Sequence, residues 1–346
     1  MSLSENKRET LKKYILDSIF HKKGGNIVKK ASDSFEISQQ TVYKYIQELI
    51  RDNKITKISR GNYEIVKTVN KFYSYNLNDI KLEEDVIFDE TLKNYISQFN
   101  VNVYNIWQYA FTEMVNNVID HSEANKLKIY IGQNALATWV NIYDNGVGIF
   151  EKIKKFYNYS VIDDAIISLF KGKLTTDKDN HSGEGIFFTS HIMDHFGVIS
   201  SNKVFSQNNT SESLSNLEET SSKMQSYKDA KGTLVIMSLV NDTNRSLKEV
   251  FDMYSNDDGG FTITNIPMKR ICDTGYPVSR SQAKRLYFGF DKFEKVILDF
   301  EGVEEIGQGF ADELFRVFCK KHPDIQIECI NTNEAIEKMI NRVKTE

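Results

Sequence analysis

Residues 103–121, VYNIWQYAFTEMVNNVIDH, carry apolar side chains at 103, 106, 107, 110, 111, 114, 115, 118 and 119. That unbroken three-and-four spacing predicts one long helix with its apolar side against a sheet. On the other side Glu113, Asn117 and His121 recur every four residues and stack along a single helical face. The stripe also reads as a solvated face, which would tolerate any polar residue. Beyond polarity, ExxxNxxxH offers a base, a neutral oxygen suited to a hard cation, and a phosphate partner.

Three stretches downstream bear on the same question. Val140-Asn141-Ile142-Tyr143-Asp144-Asn145-Gly146-Val147-Gly148 predicts a strand running into a DxGxG turn. There Asp144 can accept a hydrogen bond from an exocyclic amine, and Gly146 and Gly148, lacking Cβ, let main chain approach a flat base. A DNG at a strand end is also a common turn. Next, His181-Ser182-Gly183-Glu184-Gly185 opens the helix IFFTSHIMDHF, whose N-terminal amides form a ready anion site. Last, Lys231-Gly232-Thr233 starts the buried strand LVIM, with a hydroxyl able to reach a base edge.

ExxxNxxxH, DxGxG, SGxG before a helix and GT before a strand, in this order over about 140 residues, resemble the N box and three glycine boxes of the GHKL superfamily of ATP-binding domains. The stretches EMVNNVIDH and HSGEGIFFTSHIMDHF look most like its anti-sigma-factor serine kinases. The resemblance implies a Bergerat α/β sandwich binding ATP and Mg²⁺. In it Asp144 and Thr233 would read adenine, Asn117 would hold Mg²⁺, Glu113 would be the general base, and Gly183 with Gly185 would cradle phosphates. His121 and Ser182 would join the nucleotide site, and residues 149–182, with Lys173, Thr175 and Thr176, would form the ATP lid. A sensor histidine kinase needs a phosphoacceptor His followed by an acidic residue in a dimerisation hairpin, and none of His21, His121, His181, His191, His195 and His322 is so placed.

Ahead of this segment, Leu11, Ile15 and Ile19 fall at helical spacing, IVKKASDSF predicts a second helix, and SQQTVYKYIQELIRDNK a third with Ser38 as N-cap. KITKISRGNYEIV then alternates around Arg60-Gly61-Asn62 as a hairpin would. Helix, helix, helix, hairpin resembles the winged helix-turn-helix family. The resemblance implies duplex DNA as a partner of residues 1–67, with Gln39, Gln40, Thr41 and Lys44 on the reading helix and Lys57 and Arg60 on the wing. A three-helix protein-docking module would read nearly the same. Residues 1–66 hold thirteen Lys/Arg against eight Asp/Glu, so the remainder must carry −9 of the total −4, a basic head on an acidic body.

Beyond Gly259, KVILDF predicts a buried strand, FADELFRVFCKK a helix, IQIECIN a strand and EAIEKMINRV a closing helix. VILDFEGVEEIGQGFADELFRVF resembles the STAS fold of anti-anti-sigma factors. Those proteins carry a phosphorylatable Ser in the turn where this chain has Gly307-Gln308-Gly309, so a domain that packs or binds a partner is expected instead of a phospho-switch.

The expectation is an α+β and α/β multidomain chain. It comprises a winged helix-turn-helix at 1–67, an ATPase-type domain at 68–245 with a mobile loop insertion at 201–231, and a STAS-like α/β layer at 259–346. Hydrophobic content of 40% with 27% charged residues suits a globular chain of 346 residues. No apolar run reaches the ~20 residues of a membrane span, so a cytoplasmic, non-membrane protein is expected. Three cysteines without CxxC spacing argue against a structural metal site. Function is expected to be an ATP-dependent regulatory switch, with a homodimer as a further partner. The rivals are a protein serine/threonine kinase acting on an external STAS-type protein and an ATP-bound module that hardly turns over.

Overall fold

The computed structural model describes residues 3–21, 26–78, 82–174, 183–208, 231–256, 260–271 and 276–345. Two compact units result, Met1–Gly146 with Met193–Asn244, and Val147–Ile192 with Arg245–Glu346. Each interleaves separate stretches of sequence.

The first unit begins with α1 (Glu5–Phe20), α2 (Ile27–Phe35) and α3 (Gln39–Arg51). The side chains of Ser4, Asn26 and Ser38 cap their N-termini, each accepting from a main-chain amide three residues on. A hairpin of β1 (Ile55–Ser59) and β2 (Asn62–Ile65) follows. Leu11, Ile15, Val28, Ala31, Val42, Ile46, Leu49 and Ile55 form one core, which Leu136 and Ala137 complete. Leu136 comes from the turn between two strands of the large sheet and Ala137 from the first residue of the second of them, so the head is seated on that corner.

The large sheet is antiparallel throughout, in the order β3-β4-β5-β8-β6-β7. Its strands are β3 (Val69–Asn76), β4 (Lys126–Gln133), β5 (Ala137–Asp144), β6 (His195–Ser200), β7 (Lys203–Asn208) and β8 (Thr233–Val240). The short helices α4 (Glu84–Glu90) and α5 (Lys93–Ile96) lead to the 21-residue α6 (Val101–His121). Its apolar stripe from Val103 to Val118 is buried as its spacing demands. On the sheet, Ile129, Ile142, Val235, Val198 and Phe205 face one another in a straight row across five strands. All five are buried.

Strand β7 lies within the insertion expected at 201–231 as a long, mobile hairpin loop, and its regular pairing goes beyond that expectation. Lys203–Asn208 pairs along β6, with Phe205 buried. The turn into it, Ser201 (φ 50°) and Asn202 (φ 58°), is left-handed at both central residues, which matches the twist of a two-residue hairpin. Residues 209–230 of that insertion lie outside the described residues.

In the second unit three parallel strands, ordered β11-β10-β9, form a small sheet. They are β9 (Ile263–Pro267), β10 (Lys295–Asp299) and β11 (Gln326–Ile330). Helices α7 (Ile149–Phe156), α8 (Ile162–Lys171), α9 (Gly185–Ile192) and α10 (Leu247–Tyr254) belong to the same body. So do α11 (Arg280–Tyr287), α12 (Gln308–Ala311), a π-helical stretch Asp312–Phe318, α13 (Cys319–Lys321) and α14 (Glu334–Thr345). Its core is aromatic: Phe261 lies 4.6 Å from Phe187 and 5.0 Å from Phe188 on α9, centroid to centroid. Among the described residues no helix is long and apolar enough to cross a membrane.

The outer face of the large sheet makes one close approach that can be tested. A Cβ at Gly132 on β4 would stand 2.1 Å from the indole nitrogen of Trp139 on β5. Gly132→Ala is expected to cost about 1–3 kcal/mol, as overpacking does. In a urea melt, much of the loss should be recovered in the double variant Gly132→Ala/Trp139→Leu, and additive losses would contradict the contact.

Candidate functional site

The cross-strand register brings together residues from two of the motifs. Asp144 closes β5 and Thr233 opens β8, and the two stand directly opposite each other. Ser200, at the end of β6, is opposite Thr233 in turn. All three are buried, on the face that carries Ile142 and Val140. An end row of three polar residues thus closes one end of the face that carries these apolar side chains. Ser200 donates its hydroxyl to the Gly232 carbonyl at 2.9 Å. No motif surrounds Ser200 in the sequence, and only strand pairing reveals the row.

Asp144 is held by its own turn. The Gly146 amide donates to its Oδ1 at 2.8 Å, and Thr233 donates through both amide and hydroxyl. Burial is the larger influence and pushes the carboxyl up to about 6, against those three hydrogen bonds, which pull it down. Asn145 ties the turn to β4 by accepting from the amides of Asn125 and Lys126.

The turn and the polar helix meet through glycine. A Cβ at Gly146 would lie 1.9 Å from the carbonyl oxygen of Ser122, the C-cap of α6. A Cβ at Gly232, whose φ is 101°, would lie 2.0 Å from the carbonyl oxygen of Asp144. Glu113, Asn117 and His121 ride on α6, all half-buried, and His121 is its last residue, next to Ser122.

The remaining motif residues belong to the second unit. Gly148 (φ 85°) is the N-cap of α7, Gly183 (φ 72°) precedes α9, and Gly185 is the first residue of α9. Lys173 has a local partner: its Nζ donates to the Lys292 carbonyl at 2.9 Å and lies over the rings of Phe261 and Phe293. Burial lowers its ammonium below the usual lysine value. Thr175, Thr176, His181 and Ser182 lie outside the described residues.

On the head, Gln39, Gln40, Lys44, Lys57 and Arg60 are exposed. Thr41 differs: its amide donates to the Ser38 hydroxyl at 3.2 Å and its own hydroxyl pairs with it at 2.9 Å, so it is committed to the helix cap.

The C-terminal layer has a strand followed by a helix as anticipated, but of the expected turn Gly307-Gln308-Gly309 only Gly307 lies outside the helix, as the N-cap of α12, while Gln308 and Gly309 are its first two residues. Residues 282–337 match a STAS-like domain of unknown function (DUF4325). No curated protein matches the chain. Within the STAS-like region the turn is already covered: the Gly307 amide donates to Pro277 and the Phe310 amide to Val278, and a Cβ at Gly307 would stand 2.5 Å from the Val278 carbonyl. Just after it, Asp312 is held below the usual carboxylate range by hydrogen bonds from Arg316 and Arg280. Glu313 accepts from the Tyr287 hydroxyl at 2.9 Å.

The raised carboxyl of Asp144 has a sign that can be measured. Unfolded, the group ionises near its ordinary value of 3.8; folded, it keeps its proton to about 6. Stability is therefore lost as pH rises through that window, because the unfolded chain sheds the proton first. Asp144→Asn has no such loss, so its melting temperature relative to the parent should climb between pH 4 and pH 7. A difference that stays flat across the window would show that Asp144 is solvated.

Proposed function

We propose that this chain is an ATP-binding regulatory protein with a GHKL-type nucleotide site on a Bergerat-type sandwich, a winged-helix head and a STAS-like tail that docks protein. The observation that carries the reading is the buried pair Asp144 and Thr233. They come from motifs 89 residues apart and are opposed across β5 and β8. A carboxylate and a hydroxyl side by side at a strand end suit the amine and ring nitrogen of adenine, and a third acceptor or donor is present in Ser200.

Roles follow from chemistry and position. Glu113 would activate a water or hydroxyl as general base. Asn117 would contribute its amide oxygen to Mg²⁺, with His121 toward phosphate. Among the described residues no group of three or more His, Cys, Asp or Glu could hold a metal. Mg²⁺ prefers one or two protein oxygens plus phosphate oxygens over a protein cage. By the family resemblance alone, Gly183, Gly185 and Lys173 would serve the phosphates, with Ser182 and Thr175 as further contacts and Gly148 as a small residue of the DxGxG box.

Glu113 supplies the test. Glu113→Gln should keep ATP bound while phosphate release or transfer falls ~10²–10⁴-fold, the usual worth of a positioned base. Asp144→Ala should instead weaken nucleotide binding. Radiolabelled γ-phosphate, followed to free phosphate or to protein, separates a hydrolysing switch from a serine/threonine kinase of the anti-sigma type. Parent-rate turnover in Glu113→Gln would remove the base assignment.

For the head, the exposed row on α3 with Lys57 and Arg60 on the hairpin favours duplex DNA. Lys44 and Arg60 would contact phosphates, so replacing both with Ala should lower the salt slope of DNA binding by about 2. A full chain that binds no duplex above random DNA, with or without ATP, would make the head a protein-docking module.

A further inference from the structure

Residues 171–174 adopt a conformation that local preferences disfavour. Gly172 and Lys173 are consecutive left-handed residues, with φ of 77° and 51°. Glycine accepts this freely, but lysine does so under strain, and such strain persists only where surrounding structure over-determines it.

The over-determination comes from the STAS-like region and the strand that precedes it. The Lys171 ammonium is buried and donates to the carbonyls of Arg285 at 3.1 Å and Phe288 at 2.9 Å, where α11 ends. The Thr264 hydroxyl on β9 donates to the Lys171 carbonyl at 2.7 Å. Lys173 and Lys292 exchange a reciprocal pair, each Nζ donating to the other's carbonyl, at 2.9 and 3.1 Å. Gly172 is wedged between rings: a Cβ there would come within 2.8 Å of Phe261 and 2.9 Å of Phe187.

The same contacts reach the next stretch. The Leu174 amide donates to the Gly183 carbonyl at 3.0 Å, and Phe187 and Phe188 on α9 rest against Phe261. A buried ammonium is costly unless hydrogen-bonded, and the carbonyls of Arg285 and Phe288 supply those bonds to Lys171. Burial brings it down to about 7, and Asp164 opposes that shift while Lys292 adds to it. Asp164 in turn has Arg285 at 3.4 Å.

We propose that the STAS-like region is an intramolecular brace that fixes residues 171–174 and 183–188, and so sets how tightly the chain holds the β and γ phosphates of a nucleoside triphosphate. The second half of this rests on the nucleotide reading above. Lys173, Gly183 and Gly185 are the phosphate contacts in that reading, and all three lie in the braced stretches. Loosening the brace would make their ordering an added cost of binding.

The test uses the full chain carrying Lys171→Met, which keeps the stem and removes the donors, and the milder Thr264→Val in case the first does not fold. Amide hydrogen exchange over 171–174 and 183–188 should quicken by about tenfold or more. Titrated with Mg-ATP and with AMP, the variants should lose about tenfold in ATP affinity while AMP stays within about twofold. Exchange equal to the parent's overturns the brace. Faster exchange with an unchanged ratio of ATP to AMP affinity overturns its link to phosphate. A parent chain that binds neither nucleotide overturns the nucleotide reading and that link together, and exchange alone then decides the brace.

Discussion

Beside Asp144 main chain touches main chain at two glycines, and the arrangement there depends on it. Gly146 lets the end of α6 close on the β5 turn, and Gly232 lets the start of β8 close on the end of β5. The spaces left for a side chain, 1.9 and 2.0 Å, are shorter than any carbon contact. A single methyl at either point would have to push the backbones away from each other, which neither helix nor strand can do by rotating a side chain. Only Gly232, at φ 101°, also needs glycine for its conformation. The first glycine is a matter of distance alone.

How much of this is legible in the sequence differs by element. The α6 stripe is plain because nine apolar positions repeat at helical spacing, and all but Ile119 prove fully buried. Asp144 and Thr233 can be singled out one at a time, from a glycine beside each. Their pairing cannot, since strand register is a long-range property that no window of sequence contains. Ser200 stays hidden for the same reason. Strand β7 is masked by the serine- and asparagine-rich company of Val204 and Phe205. Strand β9 does leave a signal that the expected element order omits, since TITNI is rich in β-branched residues. Lys173 enters the sequence reading only through a resemblance that puts it in an ATP lid, and its hold on Lys292 rests on a fold-back across 119 positions.

Two buried basic groups of the second unit are handled alike. Lys171 and His191 are both desolvated and both pushed down, to about 7 and about 4. Each is answered by main-chain carbonyls, from Arg285 and Phe288 for the lysine and from Phe187 for the histidine. Carbonyl partners satisfy a neutral amine or imidazole as well as a charged one, so neither group needs a counter-ion to stay buried. Asp312 takes the other course, remaining charged between two arginines.

The interleaving of the two units bears on how the chain is made. The helices of 147–192 leave the ribosome before β6 and β8, yet they belong with residues 245–346. When β8 emerges and the large sheet can close, the phenyl rings of Phe187 and Phe188 still lack Phe251 and Phe261, their partners in the finished molecule. An apolar helix waits in water until nearly the last third of the protein has been synthesised. A chain stopped short of residue 245 would therefore keep a sound sheet and expose a sticky aromatic surface, inviting chaperones or proteases instead of yielding a smaller working protein.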